Sequence, residues 1–262
     1  MLLAAAAGTT ACEKNKLPEI SGPLTGGAAV KFFNFAVGSP NVNFYVNGAK
    51  ATAVSSTSCY LLTDANRTQC LATGIESTSG VAYGSAGNGA NAWYSDVPAG
   101  SVSIAGKITT TTDNGVAISS LQSTVATGKY YSFYLSGIYD PATKKADSFI
   151  VEDVMPPQDF NVAYVRFVNA SSTTQPLILY AKNKTTGVET ALGGAVAYKS
   201  AGAFVAIPWN ASYDLSARLP GSSTNVFSRA TVSFSSGGDY TITARGNTAT
   251  SSTMLLDNTR NW

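Results

Sequence analysis

A seven-residue pattern, V-A-Y-x-S-A-G, stands twice in this chain, at 81–87 and again at 196–202. The motifs around it recur in the same order. Val30-Lys31-Phe32-Phe33-Asn34 precedes the first occurrence and Val165-Arg166-Phe167-Val168-Asn169 the second. Val42–Val46 corresponds to Leu177–Ala181, Val97-Pro98 to Ile207-Pro208, and Val102-Ser103-Ile104 to Tyr213-Asp214-Leu215. A Gly-x-x-Tyr strand follows at 128–137 and at 237–246, and each half closes on an apolar run ending in acid, Phe149–Asp153 and Met254–Asp257. A chain that writes one design of about a hundred residues twice is expected to fold into two like units.

The units read as β. Aromatic and β-branched residues alternate with polar ones over short runs, the period of a half-buried strand, and turn signals such as Asn47-Gly48 separate them. No segment sustains a 3.6-residue apolar period with caps, so no long helix is expected. The expectation is an all-β chain of two tandem antiparallel β-sandwich domains. Tyr131, Phe133 and Leu135 should face one core, and Tyr240, Ile242 and Ala244 the other. The leading Tyr of each set is either a tyrosine corner or an ordinary core residue. The expected division is a signal remnant and tether over 1–28, a first sandwich over 29–155, a Pro-rich linker over 156–161 and a second sandwich over 162–262. Met155-Pro156-Pro157 should hold the domains in series, extended and with limited freedom.

Matched positions draw closer along the chain. The separation falls from 135 at Asn34/Asn169 to 115 at Tyr83/Tyr198, 110 at Pro98/Pro208 and 105 at Phe149/Met254. The first half therefore carries extra residues around Cys59 and Cys70, around 87–93 and near Asp140–Lys145. Loops are where sandwich domains acquire function. Asn88, Asn91, Trp93 and Tyr94 form a candidate ligand loop, with Trp93 the stronger member because Tyr94 matches Phe204 when counted back from the prolines. Either tryptophan outside the tail, Trp93 or Trp209, reads as core or as a flat ring offered to a sugar.

These motifs, V-[KR]-F-x-N, V-A-Y-x-S-A-G, the V-P-A-G turn at 97–100 and the G-K-x-Y strand, resemble the domain of unknown function 4397 of secreted and envelope-anchored bacterial proteins. The resemblance covers nearly everything after residue 28, in two copies. It departs at Pro208-Trp209-Asn210, where the turn's glycine is missing. It implies an immunoglobulin-like β-sandwich. It implies no activity and no functional residues.

The first residues, Met1 to Cys12, end an apolar, small-residue run on a cysteine, like a bacterial lipoprotein signal. Cys12 is expected to be lipidated, which places the protein outside the cytoplasm, held to the outer membrane or cell surface by acyl chains. Of the three cysteines this leaves Cys59 and Cys70, either a disulfide or two free buried thiols. The chain has no histidine. That removes the usual triads, the usual zinc ligands and the commonest neutral-pH base. Asp140 and Asp147 bracket a turn but lack the acidic density of a calcium loop. No catalytic residue, metal or cofactor is expected. With a net charge of +2 and no basic run longer than two residues, no nucleic-acid partner is expected either. The expected function is that of a non-enzymatic envelope or cell-surface lipoprotein, a structural or adhesive module partnered by a membrane and by a surface glycan or an envelope protein. The alternative is a carbohydrate-binding lipoprotein of a nutrient-uptake system.

Overall fold

The computed structural model describes residues 27–52, 59–62, 67–70, 79–87, 94–172 and 175–261. All regular structure among them is strand. The first half contributes β1 (Gly27–Asn34), β2 (Val42–Val46), β3 (Ala49–Lys50), β4 (Cys59–Leu62), β5 (Arg67–Cys70), β6 (Ser85–Ala86), β7 (Ser95–Pro98), β8 (Gly100–Ile108), β9 (Ala117–Val125), β10 (Tyr130–Asp140) and β11 (Lys145–Glu152). The second contributes β12 (Ala163–Asn169), β13 (Ile178–Asn183), β14 (Glu189–Ala191), β15 (Ser200–Ala201), β16 (Val205–Ile207), β17 (Ser212–Arg218), β18 (Phe227–Ser233), β19 (Asp239–Asn247) and β20 (Thr250–Arg260).

Each half is a sandwich, and the two share one topology. In the first, the sheet β11-β10-β1, with β6 and β7 both on the free edge of β1, packs on β3-β2-β8-β9. In the second, β20-β19-β12, with β15 and β16 on β12, packs on β14-β13-β17-β18. Pairing is antiparallel except at one place per half, where the opening strand runs parallel to the Gly-x-x-Tyr strand: Phe32 sits beside Phe133 and Phe167 beside Ile242. The fold is thus that of two tandem immunoglobulin-like β-sandwiches.

The repeated motifs have local reasons. The Asn closing each opening strand hands its side-chain amide to the carbonyl of the Val that starts the heptad, Asn34 to Val81 at 3.0 Å and Asn169 to Val196 at 3.2 Å. That Val bridges to the neighbouring sandwich sheet, at Val42 and Leu177 respectively, and is buried. The fourth heptad residue takes a left-handed backbone, φ 79° at Gly84 and 64° at Lys199. The turn lets Ser-Ala pair with the opening strand as β6 and β15. The closing Gly then donates its N–H to Phe32 or Phe167, at 2.8 Å in both copies. Tyr131 and Tyr240 lie in the two cores, and each hydroxyl accepts the backbone N–H five residues upstream, from Ala126 at 3.1 Å and Ser235 at 3.0 Å. They are tyrosine corners, pinning the turn before the strand.

Three expectations change. The domains are not in series: the β1 sheet of the first sandwich lies against the β12 sheet of the second, making a stack of four sheets. The inner strands are accordingly buried on both faces, Gly27–Asn34 along its whole length, whereas β8 in an outer sheet alternates. Chain register also moves the closing-strand match. Asp153 N–H bonds Tyr130 at 2.7 Å and Asn261 N–H bonds Asp239 at 2.6 Å, so Phe149 matches Asp257 and not Met254. The apolar-acidic ending misled because acid falls at different points of the two strands. Finally, β1 starts at Gly27, inside the span expected to be tether, because Gly27 and Ala28 pair with Pro98 and Val97.

Candidate functional site

The two inner sheets meet in a seam that uses the outward positions of the repeated strands. At its apolar centre, Phe33, Phe35, Tyr134 and Phe149 from the first sandwich meet Val168 and Ala170 from the second. Tyr134 stacks between Phe33 and Phe149, with ring centroids at 4.8 and 5.0 Å. Phe33 and Phe35 occupy the positions that Val168 and Ala170 hold in the second copy, so large rings on one face fit small side chains on the other. Dispersion and area removed from water both favour that arrangement.

Polar groups flank the aromatics with an approximate twofold relation. The variable residue of V-[KR]-F-x-N is Lys31 in one copy and Arg166 in the other, both buried. Lys31 Nζ donates to the Arg260 carbonyl at 2.8 Å, and Arg166 Nη1 donates to the matched Glu152 carbonyl at 3.1 Å. Each cation lies over the aromatic ring at its copy's matched position: Lys31 over Tyr94 at 4.5 Å and Arg166 over Phe204 at 5.0 Å.

The relation breaks at the counter-charge. Asp153 forms an ion pair with Arg166 and accepts from the Ser132 hydroxyl and the Tyr94 hydroxyl, both at 2.8 Å. Its counterpart is the neutral Asn261, which accepts from Thr241 at 2.8 Å and donates to the Tyr94 hydroxyl at 3.2 Å. This end of the seam therefore sets the two cations Lys31 and Arg166 against the single carboxylate of Asp153. Burial is the main force lowering the Lys31 pKa, to about 7; Asp153 opposes it and Arg166 reinforces it. Burial, joined by Asp153, drives the Tyr94 phenol well above its ordinary value.

The heptad tyrosines close the far end of the seam by crossing to the opposite copy. Tyr198 donates to Asp147 at 2.9 Å and shares a hydrogen bond with Ser136 at 3.0 Å, while Lys199 pairs with Asp147 at 3.0 Å. Tyr83 reaches the Thr253 carbonyl at 3.4 Å and lies under Arg245, which also pairs with Asp257. Glycine is favoured at Gly84 and Gly137, both at positive φ: an added Cβ would stand 2.7 Å from the Tyr198 hydroxyl at Gly137, and at Gly84 2.9 Å from the movable end of Arg245.

Of the residues singled out in the sequence, the structure brings few together. Cys12, Asn88, Asn91 and Trp93 lie outside the described residues. Cys59 and Cys70 are directly opposite one another in the β4–β5 pairing. Tyr94, counted with the ligand loop, is engaged in the seam instead, edge-on to Tyr130 at 5.1 Å. Lys31, Arg166, Asp153 and Asn261 were missed, although a cation in the same strand slot of both copies was a signal. Asp140 bonds Ala142 and Thr143 within its own turn while Asp147 serves the seam, so the two acids do not converge. Among the described residues no cluster of three or more His, Cys, Asp or Glu could hold a metal.

What this arrangement can do is mechanical. It binds two sheets through a ring cluster and a buried polar network. A search of curated proteins finds no match. A family model described as Domain of unknown function (DUF4397) matches residues 28–180, which runs through the first sandwich and the linker into β13. That is more than half of the chain, and the chain belongs to this family.

Proposed function

We propose that the protein is a non-enzymatic lipoprotein of the cell envelope or surface, exported and anchored through Cys12, in which the paired sandwiches serve as a stiff structural or adhesive module. The observation that carries this reading is the seam. Buried Arg166 pairs with Asp153 and buried Lys31 donates to the Arg260 carbonyl, each across the two sandwiches, so two domains act as one body. A rigid unit held at a surface transmits position and load, which is what a spacer or adhesin needs. The second sandwich is read as a second copy of the family domain, on its shared topology and paired motifs. A Cys59–Cys70 disulfide is proposed on the opposed register of those residues.

The test is expression of the full precursor with its native signal. The wild type should partition into detergent and Cys12→Ala should not; a wild type that stays in the aqueous phase, without acyl chains, overturns the reading. Peptide mapping without reductant should recover the Cys59–Cys70 cross-link, and two freely alkylated thiols would remove it. A second reading, carbohydrate binding, is favoured by Trp209, which is 42% exposed. A glycan array with the soluble Cys12→Ala protein separates the two, since the structural reading expects no bound sugar.

A further inference from the structure

We infer that one end of the four-sheet stack lies on the lipid surface itself, with Trp209, Phe160 and Val188 as the contacting side chains. This rests on the anchoring reading above and extends it from a tether to a seated face. The three are exposed by 42%, 49% and 60%, although each is apolar and large enough to pack.

They share one end of the second sandwich. Trp209 sits in the connection after β16, whose Ile207 pairs with Ala163 at the head of β12. Phe160 immediately precedes β12; its ring lies against Gly237, whose N–H reaches the Val162 carbonyl at 2.8 Å. Val188 accepts the Asn183 N–H in the β13–β14 loop, and the next residue, Lys184, donates to Ser212 at 2.9 Å, just past Trp209.

That end is also where the chain enters. Gly27 pairs with Pro98 and accepts the Gly128 N–H at 2.9 Å, all at the head of β1. Across the seam, Lys31 meets Arg260 and Arg166 meets Glu152, beside the heads of β19 and β10. The strand tails meet at Tyr83 with Arg245 and at Tyr198 with Ser136. So β1 and β12 run the same way, and their heads face the same side. Twenty-six residues precede Gly27, with Cys12 among them. An anchor there delivers the membrane to this end.

The chemistry suits a bilayer interface. Tryptophan and phenylalanine are the side chains that settle at the headgroup level. In the first copy the equivalent turn carries Ala99 in place of Trp209 and ends on Gly100 with φ 106°. The second copy has lost that glycine and opened the turn over Pro208–Ala211. Ion pairs near this end join Lys129 to Glu152 at 3.0 Å and Lys184 to Asp214 at 3.8 Å, and the acids Asp96 and Asp159 stand there too, so the contact rests on the apolar side chains. Exposed Val154 follows Asp153, whose N–H bonds Tyr130 at the head of β10, so it lies by the same end, whereas Val116, Ile138 and Leu255 lie toward the strand tails.

The experiment uses acylated full-length protein on phosphatidylethanolamine–phosphatidylglycerol vesicles. Trp209 is kept as the sole tryptophan (Trp93→Phe and Trp262→Phe), and melting temperature is checked against wild type. Lipid brominated in its acyl chains should remove most of the Trp209 emission, while aqueous iodide should not. The anionic lipid fraction should leave both results unchanged. In a second variant, Leu255→Trp with Trp209→Phe, the tail-end reporter should respond the other way, which keeps the test informative if the first variant folds poorly. Protein on the vesicles with Trp209 open to iodide and untouched by brominated lipid overturns the inference and leaves the anchor standing. Protein that never joins the vesicles removes both. Emission that shifts with soluble glycan and not with lipid assigns this face to a sugar instead.

Discussion

The two sandwiches share a topology but carry different seam faces. The first copy offers rings, Phe33, Phe35, Tyr134 and Phe149, where the second has Val168, Ala170, Thr243 and Asp257. It has a buried lysine where the second has an arginine, and an aspartate where the second has an asparagine. Two identical faces would set rings against rings, or leave space between small side chains. The divergence makes each face complementary to the other, and the same divergence leaves one buried cation without a carboxylate of its own. Specific pairing and an electrostatic imbalance arise from the same substitutions.

The sharpest way to break the comparison is at the counter-charge. Asp153→Ala strands Arg166 in the seam and should cost about 3–5 kcal/mol of unfolding free energy. Asn261→Ala at the matched site loses only neutral hydrogen bonds and should cost about 1 kcal/mol. Urea titrations of both variants check this, and equal losses would mean that the charge pair does not distinguish the copies.

The ring cluster gives the next contrast. Phe33→Ala should cost about 3–4 kcal/mol, since it opens space beside Tyr134. Val168→Ala at the equivalent position removes less and should cost about 1–2 kcal/mol. If thermal melts order these the other way, the second copy and not the first supplies the filling side chains.

Lys31 predicts a pH dependence. Its pKa is lower in the folded chain, about 7 against 10.5, so the unfolded chain binds more protons between those values. Stability should therefore rise with pH across that window, by up to about 1.4 kcal/mol per unit, and the full cost should be present below it. Asp239 acts lower: burial raises its pKa to about 6, opposed by Arg260, so stability falls as pH rises toward that value. The raised phenols of Tyr94 and Tyr134 lower stability as unfolded tyrosines ionise near pH 10, so the measurement belongs between about pH 7 and pH 9. Lys31→Met should flatten the rise in that interval, and Arg166→Met, which removes the charge that reinforces the shift, should weaken it less. An unchanged slope in Lys31→Met would show that the lysine keeps its charge when buried.

The smallest contrast concerns the heptad tyrosines. Tyr198→Phe loses bonds to Asp147 and Ser136 and should cost about 1–2 kcal/mol. Tyr83→Phe gives up the long contact to Thr253 and a side-chain bond to Arg245, so its loss should be below about 1 kcal/mol. Similar losses would indicate that the tyrosines act through ring packing alone.

Much of this architecture was legible from periodicity. Val30, Phe32, Phe133, Leu135 and their second-copy partners alternate as core residues should, and they line the two cores. The heptad announced the repeat, and the Gly-x-x-Tyr strand left the tyrosine corner as one of two readings, which the hydroxyl bonds to Ala126 and Ser235 decide. Local pattern decides these features because strand faces and turns are read over a few neighbouring residues. The seam was not legible. Lys31, Arg166, Ser132 and Thr241 are polar at outward positions, which describes a solvated face as well as it describes a polar interface. Only the packing of one sheet on the other shows that these groups satisfy each other across the two copies. That pairing joins residues as far apart as Lys31 and Arg260, a relation that no local pattern contains. The sequence alone determined two sandwiches of one design; the tertiary structure decided that they form one body, because partners for buried polar groups are set by which surfaces meet.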